Sequence, residues 1–148
     1  MKTLILLAIC IATSEACSCL PYPSLQDYIC SSDFVSRVKV ISKKDPNNGY
    51  SNGYQDITYT VKHVKVYKKP PSVKELPNQI LTASNSAACG IELTIGEEYL
   101  LGGSVDEQGK LRSYLCGIFQ KWSSVSKDDR KTLRRYQCSS PTTVPSYG

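Results

Sequence analysis

The sequence has few of the residues on which most catalytic and metal-binding sites depend. His63 is the single histidine among 148 residues, and it lies in a lysine-rich segment. No Ser-His-Asp or Cys-His arrangement can be built around it. Motifs for a glycine-rich phosphate loop, a histidine-rich zinc site and an acidic calcium loop are also absent. We therefore expect neither an enzyme nor a protein with a cofactor of its own, and interpret His63 as a surface or bulge histidine.

Long apolar runs are missing as well. The longest covers nine residues, 4–12, whereas a membrane-spanning helix needs about 20. Lys2 precedes this run, and Ser14 and Ala16 place small residues at the positions that a signal peptidase prefers. We expect residues 1–16 to be a secretory signal peptide and the protein to be secreted and extracellular, without a membrane partner. An N-terminal membrane anchor is the alternative.

Cleavage after residue 16 would make a cysteine the first residue of the mature protein. Six of the seven cysteines would remain, an even set that in a secreted chain indicates three disulfides: Cys17, Cys19, Cys30, Cys89, Cys116 and Cys138. Spacing does not choose among the fifteen possible pairings, although Cys17 and Cys19 are too close to pair with each other. The free amine and the carbonyl of a leading cysteine could chelate a metal ion. A purely structural staple is the alternative for this Cys-x-Cys motif.

Positive charge predominates, with a formal net charge of +5. A solvated charged face is the simplest interpretation, and weak attraction to an anionic matrix polysaccharide is the functional alternative. Nucleic acid is not expected as a partner of a secreted protein without a binding motif. The basic residues form two groups: Lys39, Lys43, Lys44, Lys62, Lys65, Lys68 and Lys69, then Lys127, Arg130, Lys131, Arg134 and Arg135.

Alternating polarity and β-branched residues predict two long strands at residues 34–41 and 57–67. In the second, Ile57, Tyr59 and Val61 alternate in one phase, whereas Val64 and Val66 follow the other. A bulge near His63 would reconcile the two phases and bend the strand. Residues 43–55 contain Pro46 and two Asn-Gly pairs, which predict a turn or hairpin tip.

Four shorter strands are predicted at residues 79–83, 91–94, 99–101 and 111–115, with helices at 25–32 and from Ser126 to Gln137. Ser126 and Asp129 resemble a helix-capping pair, and Leu133 and Tyr136 are spaced to share one helix face. Residues 139–148 are predicted to be a disordered tail. The fold class is therefore all-β with flanking helices, a partly open five-stranded Greek-key barrel in one domain, residues 17–138.

Several motifs resemble one known family. CSCLP at residues 17–21 and CSSDFV at 30–35 are similar to the mature start of the tissue inhibitors of metalloproteinases. The similarity continues through LTASNSAACG at 81–90, EYLL at 98–101, GKLRSYLC at 109–116, WSS at 122–124 and LRRYQC at 133–138. It covers nearly all of residues 17–138, with six cysteines in register, and it implies a netrin-like domain of OB-fold type. It also implies the disulfides Cys17–Cys89, Cys19–Cys116 and Cys30–Cys138.

The resemblance further implies a monomeric, secreted inhibitor of zinc metalloproteinases, both of the matrix metalloproteinase type and of their disintegrin-containing relatives. In this family the amine and carbonyl of the first cysteine, here Cys17, bind the catalytic zinc of the target and displace its water. The target supplies the zinc. Ser18 would enter the pocket for the substrate residue after the scissile bond. The remaining contacts implied in the cleft are Cys19, Leu20, Pro21, Ser86, Ala87, Ala88, Cys89 and Gly90.

Two departures from the family pattern affect what we expect. The family usually carries a second, smaller disulfide-rich domain, whereas this sequence ends ten residues after Cys138, so functions of that domain are not expected. Residues 20–29 lack the histidine common in the family and are one residue longer. The alternative function is a non-inhibitory netrin-like module that binds matrix or a receptor through its basic surface. A disulfide-rich growth factor or antimicrobial peptide fits less well, because the cysteines are sparse.

Overall fold

The computed structural model describes residues 17–50 and 54–139 of the chain. The predicted signal peptide, residues 1–16, lies outside this range, as does the predicted tail apart from Ser139. The described helices and strands, in chain order, are α1 Leu25–Ser31, β1 Phe34–Lys44, β2 Ile57–Lys68, β3 Gln79–Thr82, β4 Glu98–Val105, β5 Leu111–Arg112, β6 Phe119–Lys121, the 3₁₀ helix Trp122–Ser124 and α2 Lys127–Arg135.

Five of these strands close into a barrel. β1 pairs antiparallel with β2 and β4, β2 pairs antiparallel with β3, and β4 pairs antiparallel with β5. Parallel pairing of β3 with β5, in which Ile80 lies opposite Leu111, completes the ring. β6 pairs with β4 as a sixth strand. The order β1–β2–β3–β5–β4 around the barrel confirms the five-stranded OB-fold-type barrel that the sequence predicts.

The long hairpin of β1 and β2 contains the predicted bulge. Val38 pairs with His63 and Arg37 with Lys65, so Val64 is an extra residue on β2. The bulge does not return Val64 and Val66 to the core, because these side chains remain 44% and 39% exposed. β3 pairs with β2 only as far as Thr60, so this bent half of β2 lies beyond the part of the strand that β3 covers.

Two apolar clusters hold the fold together. The first fills the barrel and includes Phe34, Val38, Tyr59 and Leu101. The second lies between the outside of the barrel and the two helices, where Val35 and Leu100 contact side chains from α1 and α2 that include Ile29 and Leu133. Disulfide Cys30–Cys138 joins α1 to the segment after α2. Burying this second face positions the helices on one side of the barrel.

Both helices begin at the predicted place. Ser24 caps α1 by accepting a 3.3 Å hydrogen bond from the Asp27 backbone N–H, and Ser126 caps α2 by accepting one of 3.0 Å from Asp129. Leu133 is buried and Tyr136 packs against the same cluster, as predicted. In the described part of the chain, neither helix has the length and apolar content needed to cross a membrane.

Four elements differ from the predictions. The strand predicted at 99–101 is longer, because β4 extends over Glu98–Val105. Residues 91–94 form no strand, although Ile91 and Leu93 are buried. Their backbone N–H groups donate instead to side-chain oxygens, Thr82 Oγ1 at 2.9 Å and the Tyr59 hydroxyl at 3.1 Å. The strand predicted at 111–115 ends at Arg112, because the chain then turns toward Cys116. β6 was not predicted, since three residues are too few to show alternation.

Candidate functional site

Two disulfides bring three separate segments of the chain together at one place on the surface. Cys17 is bonded to Cys89 and Cys19 to Cys116, each with a Cα–Cα distance of 5.2 Å. We call these the first segment (residues 17–21), the second segment (residues 84–90) and the third segment (residues 113–117). All three disulfides that the family resemblance implies are present in the structure.

The two disulfides pack directly against each other. Cys17 Sγ lies 3.6 Å and Cys89 Sγ 3.8 Å from Cys116 Sγ, distances at which disulfide sulfurs make van der Waals contact. The sulfurs of Cys17, Cys19 and Cys116 all lie within 4.8 Å of one another. They do not form a metal site in this state, since a cysteine binds metal as a thiolate and these atoms are in disulfides. The cluster instead fixes the three segments relative to one another.

The first segment has its half-cystines turned toward the protein and its other side chains in solvent. Cys17 and Cys19 are half-buried, whereas Ser18 and Pro21 are exposed. Leu20 is 91% exposed, and among the large apolar side chains of residues 17–50 and 54–139 only Tyr54 is more exposed. Burial of this side chain therefore contributes little to the stability of the free protein, and the side chain is accessible to a partner.

The second segment is a compact turn held by its own hydrogen bonds. Asn85 accepts at its Oδ1 from the Ala88 N–H at 2.8 Å, and its carbonyl oxygen accepts from the Gly90 N–H at 3.1 Å. Cys89 has a left-handed backbone, with φ of 59°. Ser86, Ala87 and Ala88 are exposed at the tip of this turn, whereas a Cβ atom at Gly90 would overlap the carbonyl of Ala83.

The third segment was not among the predicted site residues. Tyr114 and Leu115 are each 44% exposed, and the Leu115 N–H donates a 2.8 Å hydrogen bond to the carbonyl of Cys89. The backbone of the third segment therefore adjoins the second segment, and its two apolar side chains are partly exposed. In the sequence, the third segment is marked by two apolar residues directly before Cys116. This pair indicates a site residue only when the disulfide partner of Cys116 is known.

A groove lies on the other side of the second segment. Its volume is about 320 Å³, and it separates that segment from the β1–β2 hairpin. Lining residues include Lys43, Asp45 and Tyr50 from the hairpin. The Asn47 backbone N–H donates to the Asp45 carboxylate and is the main reason why the pKa of Asp45 is lowered from its ordinary value. Asp45 thus stays ionised at neutral pH and orders the hairpin tip beside the groove.

All ten predicted site residues lie in the first and second segments, and the structure brings these two segments together through Cys17 and Cys89. The profile of the family described as Tissue inhibitor of metalloproteinase matches residues 15–144. The chain belongs to this family.

Individual members of the family differ in how much of their length this chain covers. Human "Metalloproteinase inhibitor 2" is 36% identical over 140 residues, which is 90% of this chain and 62% of the relative. The dog protein of the same name is 37% identical over 140 residues, again 90% and 62%. The Caenorhabditis elegans protein tag-225 is 37% identical over 132 residues, 86% of this chain and 79% of the relative. The chain thus spans less than two thirds of the mammalian relatives.

Proposed function

We propose that this protein is a secreted inhibitor of zinc metalloproteinases that acts as a monomer through the amine and carbonyl of Cys17. The observation that carries the proposal is the arrangement of the first segment. Cys17 and Cys19 are each joined to a neighbouring segment, while Ser18 and Leu20 between and after them are exposed. Membership of the family and the names of the mammalian relatives support the same function.

The chemistry starts from the open coordination position of the target. A catalytic zinc in a metalloproteinase has three protein ligands and a water in the fourth position, and that water becomes the nucleophile. Cleavage after residue 16 gives Cys17 a free α-amine, which binds zinc only when neutral. The pKa of an α-amine is about 7.7–8.0, so losing the proton at neutral pH costs little. With amine and carbonyl on the zinc, the water is displaced and peptide hydrolysis stops.

The side chains that follow would occupy the substrate cleft. Ser18 would enter the pocket for the substrate residue after the scissile bond, and its small hydroxyl would fill little of that pocket. We infer that this choice favours breadth over selectivity, so that both matrix metalloproteinases and their disintegrin-containing relatives are targets. Cys19, Leu20 and Pro21 would continue along the cleft, with Ser86, Ala87, Ala88, Cys89 and Gly90 on the other side.

Pre-organisation explains why so short a segment could bind tightly. Association costs about 0.5–1.5 kcal/mol for each flexible side chain that must be ordered, in addition to the cost of ordering loops. Here two disulfides and the Asn85 turn order both segments before any partner arrives. A larger part of the favourable free energy of the contacts therefore contributes to affinity, because less is offset by the cost of ordering the segments.

A protein with one alanine added before Cys17 tests the proposal. The added residue converts the amine into an amide without changing any side chain of the three segments. We expect unchanged folding by circular dichroism and a loss of inhibition of several orders of magnitude. The control is the same preparation after an aminopeptidase has removed the alanine, in which inhibition should return. Retained inhibition by the extended protein would refute the mechanism, as would a secreted protein whose N-terminus, measured by mass spectrometry, is not Cys17.

A further inference from the structure

The tip of the β1–β2 hairpin contains an asparagine that is followed directly by a glycine, Asn48–Gly49. Both residues are exposed, and both have positive φ, 51° for Asn48 and 80° for Gly49. The Tyr50 N–H donates a 3.0 Å hydrogen bond to the carbonyl oxygen of Asn47. Two residues with positive φ enclosed by such a hydrogen bond form a type I′ turn. Asn48 and Gly49 are therefore the two central residues of a tight turn at the surface.

The side-chain amide of Asn48 is not used by the fold. It makes no hydrogen bond to any of residues 17–50 and 54–139. The amide of the preceding residue, Asn47, is held on both sides, because its Nδ2 donates to the Gln55 carbonyl at 2.7 Å and its Oδ1 accepts from the Gln55 N–H at 3.3 Å. Two neighbouring side chains of the same type thus differ in what holds them, and the amide of Asn48 is accessible to reaction.

The backbone nitrogen that follows this amide lies in an open environment. Glycine has no side chain to block the approach of another group, and a Cβ atom built at Gly49 would have no neighbouring atom within 4 Å. The Gly49 N–H donates a 3.2 Å hydrogen bond to the carboxylate of Asp45. Because the pKa of Asp45 is lowered, chiefly by the Asn47 N–H, this carboxylate is ionised at neutral pH and can accept a proton.

We propose that Asn48 is a site of spontaneous deamidation, with the backbone nitrogen of Gly49 as the nucleophile. This nitrogen bonds to Cγ of Asn48 and closes a five-membered cyclic imide, while the Cγ–Nδ2 bond breaks. The Asp45 carboxylate takes the proton of the Gly49 N–H and passes it to the leaving nitrogen, which departs as ammonia. Water then opens the ring at either carbonyl carbon and leaves aspartate or isoaspartate. The reaction needs no co-reactant besides water, and its first step is intramolecular.

The other asparagines of the described residues each lack one of these features. Asn47 and Asn85 have side-chain amides that are hydrogen-bonded. Asn78 is followed by Gln79, which has a large side chain and a backbone held in β3. Asn52 also precedes a glycine but lies outside the described residues. Among the described asparagines, Asn48 is therefore the one at which we expect the fastest reaction.

The modification changes both the charge and the main chain at the edge of the groove. Either product places a new carboxylate in the turn that contains Asp45 and lowers the net charge of the protein by one. Isoaspartate also lengthens the main chain by one carbon atom, so the hydrogen bond between Tyr50 and Asn47 cannot keep its geometry. Gly49 and Tyr50 both line the groove beside the second segment. The inference does not require the proposed inhibition to be correct.

Incubation of the whole protein at physiological temperature and neutral pH tests the proposal. Peptide mapping with electron-transfer fragmentation follows each asparagine separately and distinguishes aspartate from isoaspartate. We expect both products at Asn48, with conversion at least about 10-fold slower at Asn47, Asn78 and Asn85. Conversion at Asn48 that is no faster than at these three residues would overturn the proposal. Aspartate without isoaspartate would also overturn it, because direct hydrolysis of the side chain forms no ring.

Two glycine variants test whether the Gly49 nitrogen is the nucleophile. Gly49→Ala should slow conversion of Asn48 at least about 10-fold, because a side chain then hinders the attacking nitrogen. Gly109→Ala is the matched control, since Gly109 also has positive φ and open space around it, and it should leave the rate at Asn48 unchanged. Equal rates in the two variants would exclude the Gly49 nitrogen. Thermal unfolding measured for both variants shows that each is folded during the incubation.

Asp45→Asn tests the proton transfer. The new asparagine precedes Pro46, whose nitrogen has no proton to lose, so it adds no second site of the same kind. We expect conversion of Asn48 to slow by at least about threefold at neutral pH, with a smaller difference at higher pH, where hydroxide takes the proton. An unchanged or faster rate at neutral pH would contradict the role of Asp45.

Discussion

The backbone N–H of Leu115 donates a 2.8 Å hydrogen bond to the carbonyl oxygen of Cys89. Each of these residues belongs to a segment that carries the disulfide partner of an N-terminal half-cystine, Cys89 for Cys17 and Cys116 for Cys19. The hydrogen bond thus joins the two supports of the first segment to each other. Loss of one disulfide should loosen the first segment even where the barrel persists.

Removing one disulfide at a time separates stability from inhibition. Cys19→Ser/Cys116→Ser opens a link across 97 residues and Cys30→Ser/Cys138→Ser one across 108 residues. On the chain-entropy model each change lowers the free energy of unfolding by about 4–5 kcal/mol. We expect inhibition to weaken at least about 10-fold for the first variant, because the first segment must then be ordered on binding. For the second, the change should be within about threefold.

The measurement compares inhibition constants at a low temperature at which circular dichroism shows both variants folded. Equal weakening by the two variants would contradict the role assigned to the stacked disulfides, since it would make inhibition depend on overall stability alone.

Gly90 tests the shape of the second segment. A Cβ atom at this position would overlap the Ala83 carbonyl, so Gly90→Ala should move the turn, lower the free energy of unfolding by about 1–3 kcal/mol and weaken inhibition. Gly109→Ala is the control, because Gly109 has φ of +78° with open space around it and alanine there costs about 1 kcal/mol of backbone strain. Chemical denaturation measures the loss of stability in each variant, and inhibition assays show whether only Gly90→Ala also weakens inhibition. Unchanged inhibition by Gly90→Ala would exclude the second segment from the contact.

Ser18 should set selectivity and leave stability unchanged. It is exposed, so Ser18→Leu should change the free energy of unfolding by less than about 0.5 kcal/mol. A larger side chain should be tolerated only by proteinases with a deep pocket, so inhibition constants across a panel should spread by about 10-fold or more. Ser123→Leu, an exposed serine outside the three segments, is the control. If Ser18→Leu, like Ser123→Leu, leaves the inhibition constants across the panel unchanged, Ser18 does not enter the pocket.

Lys68 should matter for stability more than Lys62, an exposed lysine of the same strand. Its ammonium donates to three carbonyls at the end of α1, and hydrogen bonds to a charged group contribute about 1.5–3 kcal/mol. Lys68→Met should therefore lower the free energy of unfolding by about 2 kcal/mol. Lys62 is on the same strand, and its ammonium group has no ion pair within residues 17–50 and 54–139, so Lys62→Met should change the free energy of unfolding by less than about 0.5 kcal/mol. Denaturant unfolding measures both, and equal effects would contradict this difference.

Much of the barrel could be predicted from the sequence because its signals are local. Alternation of apolar and polar residues predicted the two long strands. The change in the phase of this alternation after Val61 predicted a bulge, which the structure has at Val64. The capping residue Ser126 predicted the start of α2. These features depend on residues within a few positions of one another, so no knowledge of the rest of the fold was needed.

Other features depend on distant partners and were missed. Ile91 and Leu93 alternate like strand residues because both enter the core, but their N–H groups bond to the Thr82 and Tyr59 side chains rather than to a neighbouring strand. Alternating polarity indicates which side chains are buried. It does not indicate which group accepts the hydrogen bond from each backbone N–H. Likewise, the sequence excluded only the pairings that contain a bond between Cys17 and Cys19 and left the other twelve of the fifteen open. The third segment is recognisable only once Cys19 is known to bond to Cys116.

The most direct test of the central claim observes the metal of the target. A matrix metalloproteinase catalytic domain with cobalt in place of zinc has a visible absorption spectrum that changes with the ligands of the metal. Adding the protein that begins at Cys17 should change this spectrum at a one-to-one ratio, because amine and carbonyl replace the bound water. The same protein with one added N-terminal alanine should leave it unchanged. A tight complex with Cys17 at its terminus and an unaltered cobalt spectrum would contradict the account.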